Sequence, residues 1–304
     1  MKYRLSFAMG VLAAFTPMMV SAQDVSGAAT VGFAETSMPD GVPDLSTMSL
    51  DGKLDVTYAG VLSFGAKVST GKVDIEGISE DLSATAIGLS AGFPLGSMWN
   101  GGAYYEHAEL DIDGLGSDSI NSYGLFLGYS SDLMAFEVFG GETDGDSLSG
   151  TGVDWYDIGT RASFAVGDKG ELGGHWMRSR LSSGGVDVDL TSVGVAGSFE
   201  LAQGLSVFAG LSRAEVDVLT GDVTTFGLGV GYDLNSVVNV PATVSLEFAR
   251  SRLDDGVDEY DADTIRFGVT IPFGGAKSTP INSLASSVLS PNRNVVTTAI
   301  NSDF

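Results

Sequence analysis

Single charged residues recur at alternate positions in segments that are otherwise rich in glycine, serine and threonine. Charges of opposite sign on different walls of a narrow passage set up a transverse field, and such a field determines ion preference. The strand alternation described below predicts that these side chains face inward: Lys53, Asp55, Lys67, Glu137, Asp157, Arg161, Glu247 and Arg266. The same residues are equally expected to pair across strands and merely solvate the interior.

The sequence does not indicate a catalytic centre. The two histidines, His107 and His175, lie in no recognisable nucleophile motif, and their aromatic neighbours predict interface positions. Absence of cysteine excludes a disulfide scaffold and a thiolate metal site. The segment from Asp111 to Gly114 has only part of the ligand spacing of a calcium loop. We therefore predict no enzyme activity, no catalytic residue, no metal site and no cofactor.

Aromatic residues at intervals of 33 to 41 residues mark the elements that must position these charges. Each closes a run with mostly apolar residues at every second position, which is the pattern of a β-strand with one apolar face. Aromatics at the same end of every second strand are typical of a girdle at a membrane interface. The predicted girdle consists of Tyr58, Phe93, Tyr129, Phe164, Phe199, Tyr232 and Phe273.

The pattern predicts an all-β fold, a transmembrane antiparallel up-and-down β-barrel of about 14 strands. Residues Leu50 to Val68 keep one parity and could form a single strand, but a turn at Ala59-Gly60-Val61 restores the even number of single-chain barrels. Counts from 12 to 16 remain open. Connections after the aromatics are short, whereas long loops are expected at the other end, including 71–83, 143–152 and 253–263.

The chain divides into three predicted parts. Residues 1–22 have a charged start at Lys2 and Arg4, an apolar stretch and a compact Val20-Ser21-Ala22 cleavage site, as in a secretory signal peptide. Residues 23–273 form the predicted barrel, and residues 274–304 form a tail.

The formal charge of −24 argues against a nucleic-acid partner, whose phosphates would be repelled. Acids concentrate in the predicted long loops, which contain one basic residue, Lys72. A negative outer rim raises the local cation concentration, so a mild cation preference is expected of an open pore. Adaptation to salty surroundings is the other explanation of this acidity.

The chain resembles Gram-negative porins, particularly the short porin-like proteins of Alphaproteobacteria. The clearest stretch runs from Phe199 to Phe273 and includes Thr225-Phe226-Gly227-Leu228-Gly229-Val230-Gly231-Tyr232. The resemblance implies passive diffusion of small hydrophilic solutes and ions, a place in the cell outer membrane, and outer-membrane lipid as a partner. No loop matches the inward-folded third loop of sixteen-stranded trimeric porins, which argues against carrying over that strand number or the trimer. Whether the chain forms an oligomer stays open.

The strand ending at Phe273 resembles the C-terminal signature that the outer-membrane assembly machinery reads, which makes this machinery an expected partner. We therefore predict that the barrel ends at Phe273 and that 274–304 is a periplasmic extension. Its Ser, Asn and Pro content predicts little fixed structure apart from a short helix around Ile281 to Leu289. The alternative is that the tail partly plugs the lumen.

Two other functions fit the sequence. One is a non-conducting structural or adhesive outer-membrane barrel whose acidic loops contact surface lipid through divalent cations. The other is a soluble secreted all-β protein, because alternation alone also occurs in β-sandwiches. The solute, the number of chains and the role of the tail do not follow from the sequence.

Overall fold

A computed structural model describes residues 23–78, 81–114, 116–202, 204–217, 221–274 and 280–303. The predicted signal peptide, residues 1–22, lies outside the described residues. Alternating apolar residues over 12 to 17 positions give long strands. The strands are β1 (Gln23–Ser37), β2 (Leu45–Tyr58), β3 (Leu62–Ile75), β4 (Leu82–Pro94), β5 (Trp99–Ile112), β6 (Gly116–Ser130), β7 (Met134–Gly145), β8 (Asp154–Val166), β9 (Gly170–Ser183), β10 (Val186–Ala202), β11 (Leu205–Val216), β12 (Gly221–Asp233), β13 (Thr243–Asp254) and β14 (Glu259–Phe273).

The strands form one closed barrel in which each strand pairs with its sequence neighbours and β1 pairs with β14. All pairings are antiparallel, and the closing register sets Gly27 opposite Phe273. The predicted fourteen-stranded antiparallel barrel is thereby confirmed. Closure leaves no unpaired sheet edge, as a structure immersed in lipid requires. Among the described residues, no helix is both long enough and apolar enough to cross a membrane.

The turn that fixes the strand number lies where the sequence placed it. β2 ends at Tyr58 and β3 begins at Leu62. Ala59 and Gly60 have φ values of 51° and 66°, in the left-handed region that reverses the chain tightly. Tyr58 and Leu62 then face one another across the hairpin, so both strands keep the same apolar parity.

The outer face of the barrel carries the apolar positions. Exposed residues alternate with inward ones along every strand, as Phe226, Leu228 and Val230 do on β12. The predicted girdle aromatics all lie at or within three residues of the last position of even-numbered strands, and therefore at one end of the barrel. Five of these side chains are exposed: Tyr58, Phe93, Phe164, Phe199 and Phe273.

Several glycines lie opposite an aromatic residue of the neighbouring strand, and the aromatic ring occupies the space that a side chain at the glycine would need. Phe208 is opposite Gly229 on β12, and a Cβ added to Gly229 would collide with the Phe208 ring. The same arrangement joins four further pairs: Phe126 with Gly102, Phe139 with Gly159, Phe199 with Gly170, and Phe273 with Gly27. Glycine therefore provides the space in which large rings lie flat on the wall.

The predicted lengths of the long loops are wrong: the loops are shorter, because the hairpins continue as paired strands. β13 reaches Asp254 and β14 begins at Glu259, so most of the predicted 253–263 loop is ladder. Cross-strand ion pairs hold this extension: Arg250 binds Asp263, and Arg252 binds Asp261. The longest connection lies at the girdle end, between β12 and β13, where it contains the short helix α1 (Asn235–Val238).

The tail returns into the barrel, which corrects the prediction of an extension outside it. Its described part, residues 280–303, contains α2 (Leu284–Leu289) and α3 (Val295–Asp303). Its partners lie on strands spaced around the whole circumference, including β1, β3, β5, β7, β9 and β13. A segment that reaches all these strands of a closed barrel must lie inside it. The predicted short helix corresponds to α2, whereas α3 was not predicted.

Candidate functional site in the barrel lumen

Two capped helices form the part of the tail that fills the lumen. The hydroxyl of Ser283 accepts the amide of Ser286 at the start of α2. Asn294 Oδ1 accepts the amides of Val296 and Thr297 at the start of α3, at 2.8 and 3.2 Å. Each cap satisfies amides that a helix leaves unpaired at its first turn. These bonds make short helices possible in a segment whose composition gives little helical preference.

Apolar side chains of both helices pack on apolar patches of the inner wall. Leu284, Ala285 and Val288 of α2 form a buried cluster with Ala196 and Phe208. At the start of α3, Val295 joins a second cluster with Tyr104, Phe139 and Met177. The tail thus covers wall surface that would otherwise face the lumen.

A buried ion pair of the wall also holds the start of α2. Arg266 Nη1 on β14 donates to Glu247 Oε2 on β13 over 2.7 Å. The other carboxylate oxygen, Oε1, accepts the backbone amide of Leu284 at 3.1 Å. Glu247 is 2 % exposed, so both oxygens are matched with donors away from water.

His175 connects α2 to β9 and β10. Its Nδ1 lies 3.0 Å from the carbonyl oxygen of Val288, and its Nε2 lies 3.1 Å from the hydroxyl of Ser192. Because a carbonyl only accepts, Nδ1 carries the proton in this arrangement. The predicted interface position of His175 is therefore wrong: the ring is buried under the tail. His107 instead lies on the outward face of β5, where its Nδ1 is 3.0 Å from Oδ1 of Asn121.

Arg293, between the two tail helices, makes the densest set of polar contacts with the wall. Its Nε and Nη2 donate to the two carboxylate oxygens of Glu137 on β7, over 3.0 and 3.2 Å. Its backbone amide donates to both oxygens of Glu106 on β5, each at 2.9 Å. The guanidinium carbon lies 4.9 Å from the ring centre of Tyr104 and 5.0 Å from that of Phe126.

Asp157 on β8 anchors the beginning of α3. It accepts hydrogen bonds from Thr143, Ser179 and Asn294, the last at 3.0 Å. The Ser179 hydroxyl in turn accepts the amide of Val295 at 3.2 Å. A buried carboxylate with this many donors is well solvated by protein groups.

The structure places the predicted pore-lining residues on the inner wall, where six of the eight form ion pairs and the other two, Lys67 and Asp157, bind the tail. Glu247 pairs with Arg266 as described, and Arg161 Nη2 donates to Glu137 over 2.8 Å. Lys53 and Asp55 form a half-exposed pair at 3.4 Å. Lys67 donates to the carbonyl oxygen of Ser290 at 2.5 Å.

Sequence reasoning missed the residues that bind the tail: Tyr104, Glu106, Phe126, His175, Arg293 and Asn294. Inward parity was the available signal for Tyr104 and Glu106, because they alternate with the exposed Tyr105 on β5. Nothing in the local pattern pairs Glu106 with Arg293, which is 187 residues away.

Arg178 and Arg180, whose parity the sequence left open, lie on the outer face with Trp176. Both bind Asp189 of β10. They belong to a set of outward arginines, each paired with an acid, at the end of the barrel opposite the girdle. The set consists of Arg178, Arg180, Arg213, Arg250 and Arg252.

No protein-family model matches the sequence, and no curated protein matches it. Solved structures do. An anion-selective porin from Comamonas acidovorans is 12% identical, with a TM-score of 0.54, and the match covers 83% of this chain and all (100%) of that one. Outer-membrane expressed OmpT of Vibrio cholerae is 14% identical, with a TM-score of 0.50, over 84% of this chain and 99% of that one. At these identities the likeness shows a common fold, the outer-membrane type of β-barrel.

Proposed function

We propose that this protein is a passive diffusion channel for small hydrophilic solutes and ions in the outer membrane of a Gram-negative bacterium. The polar inner wall carries this proposal. Buried inward positions include Thr30, Ser122, Ser179, Glu247 and Thr270, and porins have a polar interior of this kind around a water-filled passage. Such a wall holds water as soon as the tail leaves it.

The resemblance of the sequence to short alphaproteobacterial porin-like proteins supports this proposal, as does the barrel fold shared with a porin. The apolar outer face and the girdle then lie against lipid, with the aromatics at the periplasmic interface. Outer-membrane lipid and the assembly machinery of that membrane are the partners that this placement requires.

In this proposal the tail is the closing element, and the structure corresponds to the closed state. The tail occupies the middle of the lumen and binds the inward charges Lys67, Glu137, Asp157 and Glu247. Conduction requires residues 280–303 to move from these partners. An open lumen prefers cations mildly, because the positive charge of Arg293 leaves with the tail while the wall keeps its acids.

A reversible lock tests this function in the full-length chain. A Cβ added to Gly227 would lie 3.2 Å from the Cβ of Leu284, close to the range of about 3.5–4.5 Å found in disulfides. The chain has no cysteine of its own, so Gly227→Cys with Leu284→Cys introduces one defined crosslink. In planar bilayers we expect the oxidised protein to stay closed and the reduced protein to open.

The reduced double variant and the Gly227→Cys single variant are the controls, because they carry the substitutions without the crosslink. Conductance that is the same before and after reduction contradicts a closing tail, since a passage would then exist beside it. Absence of conductance in every state contradicts the channel and favours a closed structural barrel.

A further inference from the structure

Arg293 occupies a pocket that the barrel wall builds entirely from its own side chains. Glu106 and Tyr104 lie on β5, Phe126 on β6 and Glu137 on β7, three consecutive strands. Arg293 is 8 % exposed and Glu106 is 3 % exposed, so the charges meet away from water. The residues that form the pocket belong to the wall, whereas Arg293 belongs to the tail. The pocket therefore remains when the tail leaves the lumen.

The two rings are held by the wall and do not depend on the tail. The Phe126 ring lies over Gly102, its cross-strand partner on β5. The Tyr104 hydroxyl lies over Gly124 and Gly141, where added Cβ atoms would collide with it. Tyr104 also makes an edge-to-face contact with Phe139, with ring centres 6.2 Å apart. The pocket walls are therefore set before any cation enters.

The shape of the pocket matches a planar guanidinium. Two nitrogens of Arg293 reach the two oxygens of one carboxylate, Glu137, which is the bidentate geometry that a guanidinium makes and an ammonium does not. The centres of the Tyr104 and Phe126 rings both lie within the roughly 6 Å of the guanidinium carbon at which cation–π attraction acts.

Local charge also favours a cation. Three acids, Glu106, Glu137 and Asp157, surround the pocket, and the wall supplies two bases, Lys67 and Arg161. Lys67 directs its amine to the carbonyl oxygen of Ser290 rather than to an acid. Removal of Arg293 thus leaves this group with one excess negative charge.

We propose that Glu106, Glu137, Tyr104 and Phe126 form a binding site for the guanidinium group of a transported solute, such as free arginine or an arginine-containing peptide. Arg293 is the built-in occupant of this site, and a soluble guanidinium competes with it and favours the open state. The transport part of this inference rests on the proposed channel function, whereas the binding part does not.

Chemical rescue in the full-length Arg293→Ala variant tests the site. This variant lacks the tail guanidinium, so we expect its open fraction in bilayers to exceed that of the unchanged protein several-fold. Millimolar guanidinium chloride, which refills the pocket and compensates Glu137, should lower the open fraction again. Ammonium chloride at the same concentration should not, because it lacks the planar pair of donors.

Calorimetry on the purified variant measures binding without conduction. Saturable guanidinium binding by Arg293→Ala is expected, with a loss of about tenfold or more when Glu137→Gln is added, because the charged two-oxygen acceptor is replaced by a neutral amide with one acceptor oxygen. Arg266→Ala is the matched control, and its vacated position should not bind guanidinium. Heat-modifiable gel mobility identifies variants that keep the barrel, and Arg293→Gln replaces Arg293→Ala if the latter does not fold.

The outcomes separate the site from the channel. Saturable binding without conductance in any variant supports the site and contradicts the channel. Conductance that guanidinium does not change, together with no saturable heat, overturns the site and leaves the channel standing. Equal binding by the Arg293→Ala and Arg266→Ala variants also overturns it, because a general affinity of buried carboxylates would then be sufficient.

Discussion

Asn294 Nδ2 donates to Asp157 Oδ1 over 3.0 Å, and this bond fixes the start of the C-terminal helix to the barrel wall. The Oδ1 of the same asparagine caps that helix. One side chain thus couples helix formation to binding in the lumen, so the helix is stabilised where its cap can reach Asp157.

Replacing Asn294 by alanine should loosen the tail. The variant loses the cap and leaves Asp157 with one fewer donor, at a cost of about 1–2 kcal/mol, which changes the ratio of closed to open states about 5- to 30-fold. Single-channel recording measures the open fraction. Asn235→Ala, the same change at an exposed position of α1, should leave that fraction unaltered. An unchanged open fraction in both variants would show that Asn294 does not hold the tail.

The outer face should reject charge at the level of the lipid. Leu228 lies at the middle of β12 and is 53% exposed on the apolar face. Leu228→Arg should reduce stability by about 2–4 kcal/mol if this position lies near the bilayer midplane. Val257→Arg, which introduces the same side chain in the loop between β13 and β14, should be tolerated. Urea unfolding in lipid vesicles compares the two, and equal stability would contradict the lipid-facing assignment.

Local patterns were sufficient to predict the barrel, since alternation and turn chemistry act over a few residues. The turn at Ala59 and Gly60 and the barrel end at Phe273 are of this kind. The place of the tail was not predictable in the same way. Its position depends on single contacts between distant residues, such as Arg293 with Glu106, and a polar segment with the same composition would also be expected to remain solvated.

The prediction of long loops at the end of the barrel opposite the girdle was wrong for a related reason. Asp261 and Asp263 have the composition of a loop, but on β14 each is opposite an arginine of β13. Pairing of charges across the ladder lets acidic residues continue a strand. That pairing is visible only once the register of β13 and β14 is known.

The buried pair of Glu247 and Arg266 should act as a unit in stability. Arg266→Gln leaves a carboxylate that is 2 % exposed without its charged partner, and breaking such pairs costs about 3–5 kcal/mol. The double variant Glu247→Gln with Arg266→Gln should recover most of that loss, because no buried charge remains. Unfolding free energies of the four proteins in a double-mutant cycle measure the coupling. Additive losses would show that the two residues do not stabilise the barrel as a pair.

The end of the barrel opposite the girdle, here called the outer mouth, should favour cations over anions. The acids there that lack an arginine partner should determine this preference. In the tip between β13 and β14, Asp255 Oδ1 accepts the amides of Asp258 and Val257 at 2.8 and 2.9 Å. The amide of Asp258, and then that of Val257, lowers the pKa of Asp255 below its ordinary value of 3.8. A lowered pKa keeps this carboxylate charged as the pH falls, so its contribution to the preference should persist into mildly acidic solution.

Changing Asp254, Asp255 and Asp258 to asparagine should therefore reduce the cation preference of the open channel. The preference should also weaken as salt rises, because charges are screened beyond about 10 Å at 0.1 M salt. Reversal potentials across a KCl gradient give the sign and size of the effect. Asp132→Asn, at the opposite end of the barrel between β6 and β7, is the control for loss of a surface acid. An anion preference at low salt would mean that the inward Lys67, Arg161 and Arg266 determine the field instead of the acids of the outer mouth.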